Sequence, residues 1–210
     1  RGVGQHDRMR GNVVEQLFFQ VESKLEPADI RAFVRMGAYE ALCSGTGTVW
    51  DHYYGGIQVA EGLRDVGITG VVAPTLQDLS GPGVGQLDAQ LEATETLATS
   101  SDWLSSGIAT ALGPHATDTV SDRLWMQVRE LRDRLQIPVH AHVAQSIEET
   151  QRSFEHHGCP PVTRLQRLGL LGSDQVFLIV HALFVSGQEL DMLDPTVDVL
   201  GHCPYSQAQF

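Results

Sequence analysis

The apolar positions along the chain follow two spacings, one typical of amphipathic helices and one typical of buried strands. Residues 28–43 place Ile30, Phe33 and Val34 on one helical stripe, whereas ITGVVAP at 68–74 is an apolar run of strand length. These patterns predict strands over residues 46–53, 68–74, 108–112, 138–144, 175–184 and 197–200. They predict helices over residues 28–43, 55–66, 86–100, 146–157, 162–170 and 187–193, together with a helix that follows Ser121 as its N-cap.

Strands and helices therefore alternate along the chain, and the strands have the apolar character of strands buried on both faces. This arrangement predicts an α/β fold in which parallel strands are joined by helical crossovers. The repeated units fit either an open doubly wound sheet or part of a (β/α)8 barrel. No G-x-G-x-x-G motif follows a first strand, so a dinucleotide-binding fold has little support.

Composition and charge narrow the classes of partner. The 210 residues are 42% hydrophobic and 19% charged, which is a globular composition. The formal net charge of -12 argues against a nucleic acid or an anionic membrane as a partner. The three cysteines lack C-x-x-C spacing, which favours reduced thiols and a cytoplasmic location. Open strand edges would favour self-association, so a homo-oligomer stays open as an alternative to a monomer.

Histidines mark the ends of the predicted strands. Six of the nine histidines lie at or just beyond the carboxyl end of a strand, namely His52, His115, His140, His142, His181 and His202. In a parallel barrel these ends open onto the face that carries the active site. Histidine is the commonest metal ligand, and several imidazoles from different strands could together hold zinc or iron.

His140 and His142 lie on the same predicted strand. Because they alternate along it, we expect their side chains to point to opposite faces or to different depths, so that only His142 enters the mouth. His140 is then expected to turn away from the metal and to form hydrogen bonds with neighbouring strands or helices.

An ordered series of motifs resembles the amidohydrolase superfamily, in the branch of s-triazine hydrolases and of cytosine, guanine and adenosine-type deaminases. The resemblance covers nearly the whole chain. The matching segments are RGVGQH at the start, SGTGTVWDHYY at 44–54, ALGPHATDTVSD at 111–122, PVHAHVAQSIEE at 138–149, LQRLGLLG at 165–172, VHALFVSGQEL at 180–190 and GHCPYSQ at 201–207.

This resemblance implies a partial (β/α)8 TIM-type barrel that holds about strands two to seven. The first and last strands and the β-sandwich of the family would be absent, so that residues 1–210 form one incomplete barrel domain. In the family, an H-x-H motif precedes an Arg-Gly pair, and Arg1 and Gly2 occupy that trailing position. The H-x-H ligands and the aspartate ligand of the eighth strand would then lie outside this chain.

The resemblance also implies roles for individual histidines. His142 and His181 match metal ligands of the fifth and sixth strands, and we expect them to face each other at the mouth and share one ion. His115 matches a histidine that contacts substrate, and His202 matches one that lines the pocket. The expected cofactor is one divalent metal ion, with zinc favoured over iron.

Gln145 departs from the family pattern. The family's H-x-x-E motif places a glutamate three residues after the metal ligand, where this chain reads His142-Val143-Ala144-Gln145. That glutamate shuttles a proton, whereas a glutamine only donates and accepts hydrogen bonds. Either another group, such as Glu149 or its neighbour in the next helix, moves the proton, or the chemistry differs from that of an ordinary deaminase.

The sequence therefore leaves two alternative functions open. The resemblance implies a metal-dependent hydrolase that cleaves a C–N bond, or a related C–X bond, of a small N-heterocyclic substrate with metal-activated water. The alternative is a catalytically impaired or inactive binding barrel, because Gln145 replaces the glutamate. The isolated fragment is expected to be inactive.

Overall fold

The fold is described here over residues 14–204, from a computed structural model. The expectation for Arg1 and Gly2 and the end of the GHCPYSQ motif lie outside these residues. The strands are β1 (Thr48–Tyr53), β2 (Thr69–Leu76), β3 (Ile108–Thr110), β4 (Gly113–Pro114), β5 (Val139–Val143), β6 (Phe177–His181) and β7 (Asp198–Gly201). The α-helices are α1 (Phe19–Glu22), α2 (Pro27–Cys43), α3 (Gly56–Val66), α4 (Leu87–Thr99), α5 (Ser101–Ser105), α6 (Asp122–Leu135), α7 (Ile147–His157), α8 (Pro161–Arg167) and α9 (Gly187–Leu190). A π-helical turn (Val14–Phe18) precedes α1, and a 3-10 turn (Pro82–Gln86) precedes α4.

The strands pair in parallel and follow one another in space in their order along the chain. One group has the order β1-β2-β3, with β4 also paired to β2, and the other has the order β5-β6-β7. Parallel bridges from Leu112 to Val139 and from Ala116 to His142 join the two groups. The predicted α/β fold with parallel strands and helical crossovers is confirmed, and its strand order is that of a TIM-type barrel.

Two apolar cores hold the helices against these strands. In the first core, Val59 and Leu63 of α3 pack with Ile108 of β3, and all three side chains are buried. In the second core, Trp125 of α6 lies against Phe177 of β6, with ring centroids 6.5 Å apart. In each core, the apolar stripe of amphipathic helices packs against the outer faces of the strands. Because successive strand residues point to opposite faces, this packing directs the alternate residues toward the inside of the strands' curve.

Local sequence signals explain several element ends. Ser121 caps α6, where its hydroxyl accepts a hydrogen bond from the Leu124 amide at 3.2 Å, as the sequence predicts. Gly67 ends α3 in the left-handed region, with a φ of 81°.

Three strands, β3, β5 and β6, end earlier than the apolar pattern predicts, and two of them stop at residues in the left-handed region. β6 stops at His181, and not at residue 184, because His181 and Ala182 have φ values of 77° and 51°. β5 stops at Val143 because Ala144 has a φ of 51°. A side chain with a Cβ atom adopts this region only at a cost, commonly about 1–3 kcal/mol, and such residues concentrate at functional sites.

The helical content exceeds the prediction at two places. The turn and short helix over residues 14–22 and the helix α5 were not predicted, since both segments are short and irregular in their apolar spacing. Within the described range, no helix is both long and apolar enough to span a membrane.

Candidate metal and substrate site

Five histidines from four parts of the sheet meet inside the curve of the strands. The ring centroid of His142 lies 4.8 Å from that of His52, 5.2 Å from that of His115 and 5.5 Å from that of His181. The His140 ring lies 6.2 Å from His142 and 4.9 Å from His52. His142 is therefore the centre of the cluster.

His142 and His181, the two residues that match metal ligands, lie side by side. Their strands pair in parallel, with His142 opposite Val180 and Val143 opposite His181. The two rings stack with an interplanar angle of 28°. His181 takes its position through its left-handed backbone at the last residue of β6.

The ring of His142 has a defined tautomer. Its Nδ1 lies 2.9 Å from the carbonyl oxygen of His115, and a carbonyl can only accept, so Nδ1 carries the proton and donates. The Nε2 atom of His142 consequently keeps its lone pair. A carbonyl that holds one ring nitrogen while the other stays available is the usual arrangement of a metal-binding histidine.

Burial keeps these imidazoles neutral. It lowers the pKa of His142 to about 4, with the neighbouring His181 acting in the same direction and the hydrogen bond to His115 acting against it. Burial and then His142 lower the pKa of His140 to about 3. The pKa values of His115 and His181 are also lowered, in both cases mainly by burial. Neutral imidazole is the form that binds metal, so the cluster is suited to it near pH 7.

The expectation that His140 turns away from the cluster is wrong. Residues two apart on a strand share a face, so His140 points to the same side as His142 and lies deeper, nearer the start of β5. Its Nδ1 atom is buried and makes no hydrogen bond with the residues of the range 14–204, contrary to the expected pairing with neighbouring elements.

His52 is a second inward-facing histidine that the family motifs did not select. Its position near the end of β1 was visible in the sequence, but nothing there indicated its contacts with His140 and His142. Both of its ring nitrogens are buried without a hydrogen bond of normal geometry among the described residues. Burial lowers its pKa well below the ordinary value, and the neighbouring histidines lower it further, while the Gly113 backbone acts in the opposite direction.

His115 lies beside His52 and His142 in the cluster, with ring centroids 6.0 Å and 5.2 Å away. Its Nδ1 atom lies 2.9 Å from the Thr119 hydroxyl, which holds the ring in place. The Phe19 ring is a further neighbour of His115, with ring centroids 5.8 Å apart. Phe19 belongs to a segment for which no element was predicted, so sequence reasoning missed this aromatic neighbour.

His202 lies apart from the other histidines. It is exposed just after the end of β7, and within residues 14–204 it makes no ring contact with the cluster. Its pocket-lining role remains a prediction from the resemblance.

Gln145 follows β5 directly and is half-buried. Its backbone amide donates to Oε2 of Glu149 at 2.8 Å, and its side chain makes no hydrogen bond with other residues of the described range. Glu149 is fully buried, and burial followed by the charge of Asp118 raises its pKa to about 7, against three hydrogen bonds that lower it. Each oxygen of the Glu149 carboxyl group therefore accepts at least one hydrogen bond from a protein donor.

The donor set fits a metal ion only in part. The neutral rings and the available Nε2 of His142 are consistent with a bound ion. No group of three or more His, Cys, Asp or Glu side chains within residues 14–204 has the geometry to hold a metal. The described residues thus supply part of a coordination shell.

Known deaminases are similar to this chain. It is 30% identical over 186 residues to a 5'-deoxyadenosine deaminase of Methanopyrus kandleri, and the match covers 89% of this chain and 42% of that protein. The chain therefore spans less than half the length of the relatives that it matches.

Solved structures share the fold. An adenosine deaminase from Xanthomonas campestris with bound zinc has a TM-score of 0.81 at 26% identity, over 94% of this chain and 44% of that one. An atrazine chlorohydrolase from Arthrobacter aurescens TC1 complexed with zinc has a TM-score of 0.74 at 18% identity, over 94% of this chain and 47% of that one, and this likeness concerns the fold alone.

The family's sequence profile matches residues 4–208, nearly the whole chain, and confirms the resemblance inferred from the ordered motifs. The profile is that of the amidohydrolase family, to which this chain belongs.

Proposed function

We propose that the protein containing this chain is a metal-dependent hydrolase that deaminates an N-heterocyclic small molecule, with adenine nucleosides as the substrate class. The observation that carries the proposal is the stacked pair of His142 and His181, with the Nδ1 atom of His142 bound to the His115 carbonyl and its Nε2 available. The 30% identity to a 5'-deoxyadenosine deaminase supports the class of substrate.

In this proposal, His142 and His181 hold one divalent ion together with ligands from outside this chain. The ion is zinc, which two of the similar solved structures contain. A bound ion of this kind would supply Lewis-acid activation of the attacking water.

The remaining roles belong to residues around that pair. His115, held by Thr119, orients the heterocycle beside the metal ligands, and Phe19 packs next to the His115 ring. Gln145 donates a hydrogen bond to, or accepts one from, a ring nitrogen or exocyclic amine through its unengaged side-chain amide. His202 borders the pocket from the end of β7. Proton transfer then falls to a group other than Gln145, because an amide does not titrate.

The domain assignment follows the same reasoning. We propose that the strands of this chain are strands two to seven of an eight-stranded barrel, with β3 and β4, which both pair with β2, counted together as strand four. Residues 1–210 are then one incomplete domain. The cytoplasmic location is also a proposal, supported by cysteines that are free in the structure. The alternative of an inactive binding barrel is not favoured, because the similar proteins named above are enzymes.

The test is an assay of ammonia release by the purified full-length protein after its metal content has been measured. We expect 5'-deoxyadenosine or adenosine to release ammonia, with chelation abolishing the activity and zinc restoring it. Guanine and an s-triazine serve as comparison substrates. A protein that retains its metal and releases ammonia from none of these compounds would contradict the proposal.

A further inference from the structure

Glu149 is a fully buried acid next to the candidate site, and the proposed roles leave it unused. Its side chain is fully buried at the third position of α7. Oε1 accepts hydrogen bonds from the Ala144 amide at 3.0 Å and from the Thr117 hydroxyl, and Oε2 accepts one from the Gln145 amide at 2.8 Å. Three protein donors therefore converge on one carboxyl group.

The left-handed turn at Ala144 creates this arrangement. Its φ of 51° turns the amides of Ala144 and Gln145 toward the same side. Successive amides that point into one concavity favour an anionic acceptor, and the start of a helix adds to that preference. Glu149 fills the concavity and so offsets the cost of a non-glycine residue in this conformation.

The same carboxyl group ties together the two chain segments that carry the proposed site. Ala144 and Gln145 follow His142 on β5, while Thr117 lies two residues after His115. The backbone of Thr117 is held as well, because its carbonyl accepts a hydrogen bond from Nη1 of the buried Arg164. A shift of Glu149 would therefore move the His115 segment and the end of β5 relative to each other.

We propose that Glu149 is a positioning residue, which holds Gln145 and the end of β5 against the His115 segment in the geometry needed for reaction. Only the expected loss of kcat rests on the proposed function, whereas the structural role of Glu149 does not. Glu149 does not touch substrate in this account, because both of its oxygens are occupied by protein donors.

A carboxamide cannot replace this group. In Glu149→Gln, one of the two oxygens becomes an NH2 group, which would face either the Gln145 amide or the Ala144 amide, donor against donor. The volume of the side chain hardly changes, so the variant tests the hydrogen bonds and not the packing. The matched control is Glu155→Gln, the same change at an exposed position of the same helix.

The experiment compares these variants in the full-length, metal-loaded protein. For Glu149→Gln we expect kcat to fall by about 10- to 100-fold with KM within about 3-fold, the range typical of residues that orient a metal site. Hydrogen exchange should accelerate by about tenfold or more at whichever of the amides of residues 144 and 145 then faces the NH2 group, because that amide loses its acceptor. The control should keep wild-type kinetics and exchange.

Thr117 provides a milder test if Glu149→Gln does not fold. Thr117→Val removes only the hydroxyl donor and should lower kcat by a few-fold, whereas Thr117→Ser keeps the hydroxyl and should restore it. Wild-type kcat in both Thr117 variants, together with unchanged exchange at 144 and 145 in any folded Glu149 variant, would overturn the inference.

The two proposals fail in different ways. If the metal-loaded wild type deaminates nothing, the proposed function fails, while amide exchange at 144 and 145 still decides the role of Glu149. If the wild type is active but Glu149→Gln matches it in kcat and in exchange, the positioning role fails and the proposed function stands.

Discussion

The strand ends of β5 and β1 carry buried polar groups in opposite conditions. At the end of β5, the Nδ1 atom of His142 and both oxygens of Glu149 have hydrogen-bond partners within 3.0 Å or less. On β1, Oδ1 of Asp51 and both nitrogens of His52 are buried without a hydrogen bond of normal geometry among residues 14–204, and so is Nδ1 of His140, whose ring lies 4.9 Å from that of His52.

The β5 side of the site is therefore already arranged by hydrogen bonds within the protein, whereas the β1 side has buried polar atoms that lack such bonds among the described residues. Partnered groups at β5 hold one tautomer and one backbone path, which is what metal or substrate binding requires. Each unpartnered buried group at β1 costs about 1–3 kcal/mol, a cost that a ligand or another chain segment would remove. The β5 side therefore fixes the geometry of the candidate site, while the β1 side has hydrogen-bonding atoms that a ligand or another chain segment could pair with.

The largest expected effect comes from the metal-ligand candidates. His142→Asn and His181→Asn in the full-length protein should each lose the bound metal and lower kcat/KM by about 10³-fold or more, because activation of water is worth several kcal/mol. Elemental analysis and steady-state kinetics measure the two effects. His52→Asn should retain its metal, and equal metal loss in that variant would break the comparison between β5 and β1.

The two apolar cores are expected to be equally important for stability. Leu165→Ala in the core behind β5 and β6, and Leu63→Ala in the core behind β1 and β2, should each lower the free energy of unfolding by about 2–5 kcal/mol. Urea denaturation measures this loss. Leu104→Ala, at a side chain that is 68% exposed, is the control and should stay within about 0.5 kcal/mol. If only one of these two substitutions lowered the free energy of unfolding substantially, then apolar packing, and not the hydrogen bonding of buried polar groups, would distinguish the two regions.

Gln145→Glu sharpens the comparison on the β5 side. A titrating group would then stand three residues after His142, so we expect the pH–rate profile of the full-length enzyme to gain an additional limb and the rate to change by about 10- to 100-fold. Steady-state kinetics across pH with several heterocyclic substrates measure this change. An unaltered rate and profile would make Gln145 a bystander, and His115 and His202 would be the next candidates for the proton transfer.

The smallest effect is expected at Asp51, and it depends on pH. Burial raises the pKa of this carboxyl to about 6, so the folded state favours its neutral, protonated form. The stability that this preference contributes is fully present below the ordinary pKa of an aspartate and is lost as the pH rises through 6. Asp51→Asn should therefore raise the free energy of unfolding by about 1–2 kcal/mol at pH 8 and have little effect near pH 4. Thermal or urea unfolding at both pH values measures this, with the exposed Asp174→Asn as the control. A loss of stability at pH 8 would mean that Asp51 has a partner, and the contrast with β5 would disappear.

Sequence reasoning succeeded where the signal is local or ordered along the chain. Ser121 as an N-cap, the alternation of strands and helices, and the family of the chain were all predicted from residue types and their order. It failed for His140, because the side-chain period of a strand was misapplied: residues two apart point to the same side.

What the sequence by itself determined is the α/β class, the placement of histidines at the carboxyl ends of strands, and the motif order that identifies the family. Only the tertiary structure decided which of those histidines meet, because contacts between β1, β4, β5 and β6 depend on parallel pairing across 20 or more residues. It also decided the left-handed turns at Ala144 and His181, which residue types that normally avoid this region could not signal. At Ala144 the side chain of Glu149 in the next helix accepts from the two amides that the turn exposes, and after His181 the Ala182 amide donates to the Val143 carbonyl of the neighbouring strand.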